Sequence, residues 1–283
     1  MSTRRKFLQT SLTGIAGLSL LPAINTFAND SNHYQRQTSG KPKLRFALAS
    51  DIHYAEPHTD YALHTGNMVK WLNEDHAKNH FDFVIINGDL VHNRPDLLPE
   101  IKKDYLDKLS VPYYTIPGNH DFADAQVWKN VFGYEDKYVL EQGDVGFVFA
   151  NTASIKGAYV CPDNTFIKAS LDKFTDKKIV FVILHIAPIR WLKEEELMFT
   201  DCPDTVNLLH AYPNVKGVFH GHDHFLDGVR HTGKLPHFFD SHIGGSWGTD
   251  YRGYRVVEVG EDNAIYTYQV NASMNPVLNA NKF

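Results

Sequence analysis

The chain has 283 residues, 43% of them apolar and 13% aromatic, which suffices for one large domain with a full core and excludes a disordered or fibrous chain. A formal charge of −5 argues against nucleic acid as the main partner. The 16 histidines are an excess that metal ligands, active-site lining or ordinary surface residues could each account for.

The chain opens with Thr3-Arg4-Arg5-Lys6-Phe7-Leu8-Gln9, followed by a modestly apolar stretch to about Ala23. That stretch is too short and too rich in Gly, Ser and Thr to span a membrane stably. The segment resembles a twin-arginine export signal, with Gln9 where the pattern usually has Lys. The expectation is a signal over residues 1–28, cleaved after Ala28, recognition by the twin-arginine export machinery, and a periplasmic or extracellular destination. Cleavage removes three basic residues and no acid, which takes the charge from −5 to −8.

Residues 29–42 read as a polar linker, and the domain is expected over 43–273, with a short C-terminal tail at 274–283. Within it, 44–50 predicts a strand, 62–78 an amphipathic helix, 81–87 a strand, 97–109 a helix and 111–116 a strand. A helix near 125–132 precedes strands at 137–140 and 146–151, a helix at 167–174 and a strong strand at 179–184. The strand 215–219 follows, and then segments at 237–242, 254–259 and 264–268 that read as antiparallel sheet. One α/β domain in which two packed mixed β-sheets are flanked by helices satisfies this order.

Five short blocks break the pattern: Asp51-Ile52-His53, Gly88-Asp89, Gly118-Asn119-His120-Asp121, His185 and Gly221-His222-Asp223-His224. All but one directly follow a strand-like run, so they gather at the carboxyl edge of a sheet, where α/β proteins bind ligands. Carboxylate, amide and imidazole donors without thiolates suit Mn, Fe, Zn or Co and exclude a structural cysteine–zinc site. There are enough donors for two divalent or trivalent ions.

In these blocks and their order the chain resembles the calcineurin-like metallophosphoesterase superfamily. The resemblance runs from about residue 45 to 224 and implies a four-layer α/β/β/α sandwich with a binuclear metal centre. By it, Asp51, His53 and His224 would hold one ion, Asn119, His185 and His222 the second, and Asp89 would bridge them. His120 would serve as acid to the leaving oxygen, with Asp121 fixing its tautomer. The implied reaction is hydrolysis of a small phosphodiester or phosphomonoester by in-line attack of a metal-bridging hydroxide, with inversion and no phospho-enzyme.

Departures narrow the subfamily. Gly88-Asp89-Leu90-Val91-His92-Asn93-Arg94 lacks the Asp-Arg-Gly element of protein serine/threonine phosphatases, and His92 stands where purple acid phosphatases carry a tyrosine ligand. The broad group of cyclic-nucleotide phosphodiesterases and related bacterial phosphoesterases remains. A non-catalytic scaffold on the same fold and a metal-dependent nuclease are the alternatives, disfavoured by the intact ligand set and by the absence of a basic stripe.

Other residues leave two readings open. Arg94 could clamp a phosphate or be a solvated loop arginine, and His58, His64 and Arg190 could line the cleft or decorate the surface. Ser241 to Tyr251 could form a mobile substrate lip offering Trp247 and Tyr251, or an ordinary glycine-rich turn. Cys161 and Cys202 could pair in an oxidising compartment or stay free thiols.

Overall fold

The computed structural model describes residues 41–192 and 198–273. The expected signal, nearly all of the linker and the C-terminal tail lie outside these residues.

Strand alternation sets up the layers. In β1 (Leu44–Ala49), Leu44, Phe46 and Leu48 point to one side and Ala47 and Ala49 to the other, and β2 (Phe83–Asn87) repeats this with Phe83 and Ile85 against Val84 and Ile86. Both sides are buried, so these strands read as unbroken apolar runs. The first set meets Val145, Phe147 and Phe149 of β5 (Val145–Phe149), Ile179, Phe181 and Ile183 of β6 (Ile179–Ile183), and Phe219 of β7 (Val215–His220). Phe46 is the hub: its ring lies 5.2 Å from Phe83 in a stack and 5.2 Å from Phe147 edge-on. Such pairs add about 0.5–1.5 kcal/mol each beyond their buried area.

With β3 (Tyr113–Ile116), β10 (Gly253–Val259) and β11 (Ile265–Asn271), the first sheet runs β11-β10-β1-β2-β3. With β4 (Tyr138–Gln142), β8 (Val229–Thr232) and β9 (Leu235–Phe239), the second runs β4-β5-β6-β7-β9-β8. Both sheets are mixed: β1, β2 and β3 are parallel with β10 antiparallel beside them, and β5, β6, β7 and β9 are parallel with antiparallel edges.

Helices cover the outer faces. α1 (Tyr61–Lys78) buries Met68, Val69 and Leu72 at helical spacing on the first sheet, beside Leu98 and Ile101 of α2 (Leu98–Asp104) and Trp128 of α3 (Ala125–Phe132). Ile167 and Leu171 of α4 (Asn164–Lys173) and Leu209 of α5 (Pro203–His210) cover the second sheet. The caps agree with the sequence: Asp124 accepts from the Val127 amide, Asp163 from Thr165 and Phe166, and Gly133 ends α3 at φ +86°. No described helix is long and apolar enough to cross a membrane.

Three local expectations change. The helix expected over 97–109 is a single turn at 95–97, α2, and a second turn at 106–108, with Leu98, Ile101 and Leu106 all buried. The chain breaks at Tyr105, φ −133°, to turn Leu106 inward. The segment at 237–242 was expected antiparallel, yet β9 runs parallel to β7, pairing Val218 with His237 and His220 with Phe239. The intervening β8 hairpins back onto β9, and its mostly exposed Val-Arg-His-Thr shows no alternation. α5 was not expected at all, although Pro203 at its first turn followed by Asp204 is a start signal.

Candidate metal centre

The five blocks leave the carboxyl ends of β1, β2, β3, β6 and β7, which brings one edge of each sheet together. Asp51, His53, Asp89 and His222 all have positive φ, between 48° and 66°, a conformation that costs non-glycine residues about 1–3 kcal/mol and persists where the surroundings over-determine it. Backbone bonds tie the loops: the amides of Asp51 and His53 donate to the carbonyls of Gly88 and Asp89, and that of Gly221 to His185. The motif glycines make room. A Cβ on Gly88 would lie 2.3 Å from the His185 ring, and one on Gly118 would lie 2.2 Å from the Asp89 carboxylate.

Two fully buried triads of donor atoms result, Asp51 with His53 and His224, and Asp89 with His185 and His222, beside a partly buried group of His53, His92 and His120. Asp89 Oδ2 lies between the groups, 3.6 Å from His53 Nε2 and 3.3 Å from His185 Nε2. His224 Nε2 is 3.2 Å from Asp51 Oδ1 and 3.1 Å from His53 Nε2. Outer hydrogen bonds orient two of the rings: His185 Nδ1 donates to the Asn87 carbonyl and His224 Nδ1 to that of Trp247, which leaves each Nε2 as the nitrogen turned toward the carboxylates.

These residues fit metal ions. His185 Nε2, His222 Nε2 and Asn119 Oδ1 are buried without a hydrogen-bond partner, a costly state that a cation would relieve. Electrostatics agree. Burial opposes ionisation of Asp51, but the imidazoles of His224 and His185 outweigh it and hold the carboxyl at about 2, and Asp89 is likewise held low by His185 and His53. Burial, reinforced by the nearby His185, pushes His222 down to about 3, so it stays a neutral donor. His185 itself is drawn up to about 9, against its burial, by Asp89 and Asp51. Among the described residues, neither Asp51 nor Asp89 meets a Lys or Arg within 4.0 Å, so positive charge must come from protons or from metal.

His120 stands beside the triads, half-buried, with its ring stacked on His92 at 4.7 Å and 4.9 Å from His53. Its Nδ1 donates to Asn93 Oδ1 at 2.9 Å, and its amide donates to Asp89 Oδ1. This corrects the part expected of Asp121, whose carboxylate does not fix His120. Asp121 instead accepts from the amides of Gly118 (2.7 Å) and Val91 (2.9 Å), stapling the loops after β2 and β3 together. Burial and the charge of Asp89 push it up to about 8.

The structure places each residue whose reading was open. Arg94 forms an exposed bidentate pair with Asp96, and Arg190 pairs with Asp201 at 2.6 Å over the ring of Phe199. His58 is exposed, and His64 is half-buried on α1. The Ser241–Tyr251 segment is braced against the site: Arg252 donates to the carbonyls of Ile243, Gly244 and Gly245, and Trp247 lies flat on His224 at 4.5 Å. Cys161 and Cys202 form a disulfide with Cα atoms 5.8 Å apart.

Three neighbours of the site were not singled out from sequence. His92 Nδ1 lies 3.0 Å from His53 Nδ1 and Asn93 holds His120; both follow Asp89 within four residues, a proximity that was readable. Tyr159, edge-on to His222 at 4.7 Å, sits in a loop without any motif. Burial and the charge of Asp89 push its phenol up to about 12.

A two-sheet sandwich carrying paired Asp/His triads at its strand ends defines a metal-dependent hydrolase. A family model described as calcineurin-like phosphoesterase matches residues 44–226, and the chain belongs to that family; it is a phosphoric ester hydrolase. It is 24% identical over 189 residues to a "probable cyclic nucleotide phosphodiesterase" of Coxiella burnetii, covering 64% of this chain and 76% of that protein. It is 27% identical over 209 residues to a serine/threonine-protein phosphatase of Danio rerio, covering 66% and 67%. The crystal structure of a dimetal phosphatase from Danio rerio has the same fold, with a TM-score of 0.67 at 14% identity over 82% of this chain and 97% of that one.

Proposed function

We propose that the protein is an exported two-metal phosphoesterase that hydrolyses a small phosphodiester or phosphomonoester. The observation that carries this reading is the pair of buried triads that meet at Asp89, with unpartnered donor atoms on His185, His222 and Asn119. Asp51, His53 and His224 would hold one ion and Asn119, His185 and His222 the other, with Asp89 serving both; the nitrogen and oxygen donors suit Mn, Fe, Zn or Co. Such ions, when bound, polarise phosphoryl oxygens and make water a nucleophile at neutral pH.

The chain's own residues supply the remainder. His120 delivers a proton to the leaving oxygen: Asn93 occupies Nδ1, which leaves Nε2 as the nitrogen available for proton transfer. Trp247 walls the His224 side and Tyr159 the His222 side, so the ester binds between two aromatic rings. Diesters are slightly favoured by relatives named as cyclic nucleotide phosphodiesterases. A phosphoprotein substrate is the second reading, prompted by the zebrafish relative's name and opposed by Arg94, which is paired with Asp96 rather than turned to the cleft.

Export is supported by the paired arginines and by the disulfide, whose sequence separation of 41 is worth about 4 kcal/mol of loop entropy that only an oxidising compartment preserves. Retention of an Arg4→Lys/Arg5→Lys variant in the cytoplasm would support the route, and unchanged export would refute it. The activity is tested with p-nitrophenyl phosphate, bis-p-nitrophenyl phosphate and a phosphopeptide, each with Mn, Zn, Fe or EDTA. Metal-dependent release establishes the hydrolase, the rate ratios rank the substrate classes, and no release from any of them with any metal refutes the reading.

A further inference from the structure

We propose that Tyr159 is a substrate-contacting residue whose hydroxyl donates a hydrogen bond to a phosphoryl oxygen on the His222 side of the cleft. The proposal rests on the phosphoesterase reading above. Tyr159 sets its ring at 83° to that of His222, with centroids 4.7 Å apart, so it borders the second triad as Trp247 borders the first. The residue is 38% exposed, and its hydroxyl has no hydrogen-bond partner among the described residues.

An exposed tyrosine without a partner is ordinarily loose, but the backbone around this one is held by a short antiparallel pairing and by a disulfide. Tyr159 bridges to Ala153, the Val160 amide donates to Thr152 at 2.9 Å, and the Ser154 amide donates to Ala158 at 2.8 Å. Two residues on, Cys161 is bonded to Cys202 at the start of α5. Thr152 Oγ1 also accepts from the amide of Ile186, beside His185, and Gly157 packs so closely that a Cβ there would lie 2.8 Å from the Asn119 carbonyl. The loop is therefore tied beside His185 and packed against Asn119, and it carries an unpartnered O–H on the ring that borders His222. Support of this kind is what holds a binding group in place before its ligand arrives.

A phosphate monoanion or dianion is the ligand chemistry that this hydroxyl suits, because a phenol is protonated at neutral pH and donates more strongly to a charged oxygen than to a neutral one. The other candidate role is packing alone, a ring that shields His222. Replacing Tyr159 with Phe keeps the ring and removes only the hydroxyl, so it separates the two.

The test compares wild type and Tyr159→Phe, both loaded with Mn, for metal content, for the affinity of inorganic phosphate by calorimetry, and for kcat and KM on bis-p-nitrophenyl phosphate. The expected result is unchanged metal content and melting temperature, with phosphate affinity and kcat/KM both about 10-fold lower. Equal phosphate affinity in the two proteins overturns the proposal, as does a loss that appears only in Tyr159→Ala, which would assign the effect to the ring. A wild type that binds phosphate but turns over no ester refutes the proposed function while the affinity comparison still decides the part played by Tyr159.

Discussion

Two clusters of buried histidine lie on either side of Gly221 and behave in opposite ways. Behind the site, His220 Nδ1 donates to the Leu184 carbonyl, its Nε2 accepts from His237 Nδ1 at 3.0 Å, His237 Nε2 accepts from Thr232, and Thr232 accepts from His210 at 2.8 Å. Every ring nitrogen of the two buried imidazoles in that chain has a partner. In the site, His185 and His222 are equally buried, yet each leaves Nε2 unpartnered and turned toward a carboxylate. Burial alone therefore does not mark a ligand. What separates the second triad from the structural network here is a pair of unpartnered ring nitrogens converging on one carboxylate, an arrangement that a cation would relieve.

The sharpest way to break this contrast is to remove one member from the meeting point of the triads. Asp89→Asn and His222→Ala are expected to abolish turnover and to lose at least one of two ions, measured by metal analysis of the purified proteins. A His222→Ala enzyme that keeps both metals and full activity would contradict the division. Next in size is His120→Ala, which keeps both ions and loses roughly 100-fold or more in kcat, the scale of a positioned acid. Asn93→Ala should cost about 10-fold by releasing Nδ1 of His120, again with metals retained. If Asn93→Ala leaves kcat unchanged, something other than Asn93 orients His120.

The opposite cluster should respond in the opposite currency. His237→Phe keeps the ring-sized volume and leaves His220 Nε2 without its donor, a loss of about 1–3 kcal/mol in unfolding free energy. Metal content and kcat should not change, because no atom of His237 belongs to either triad. Chemical denaturation read beside metal analysis checks both halves at once.

Much of this was legible in the sequence, for physical reasons that also explain what was not. The ligand blocks were readable because a strand end fixes where a side chain emerges, so Asp51, Asp89 and His222, each two residues past a strand, had to share an edge. Layering was readable from apolar runs too long to have a solvated face. By contrast, the family resemblance pairs His120 with its sequence neighbour Asp121, although the turn at Gly118 folds that carboxylate back onto backbone amides and a loop from another strand supplies Asn93. His220 and His237 carried no signal that tells them from ligands, since the difference lies in pairing across strands, and the parallel course of β9 that creates it was missed as well. Tyr159 is contributed by a loop whose place is set by a disulfide and a backbone bridge, neither of which has a periodicity.

The smallest expected effect is a slope with pH. Burial, with smaller contributions from the nearby His210 and His231, lowers His237 from 6.5 to about 4 in the folded state. Between those values the unfolded chain binds a proton that the folded chain refuses, so stability falls as pH drops from 6.5 toward 4, by about 1.4 kcal/mol per pH unit at most for this one imidazole. Above 6.5 both states are neutral and the term vanishes. Metal ligands also take up protons in this range, so the informative quantity is a double difference: unfolding free energy at pH 7 and at pH 5, for wild type and for His237→Phe. Acid weakening from the site is common to both proteins and cancels. A wild type that loses more stability than the variant on acidification assigns the extra slope to the paired cluster; equal slopes would mean that His237 keeps its proton equilibrium on folding, and that the network behind the site is wetter than its hydrogen bonds imply.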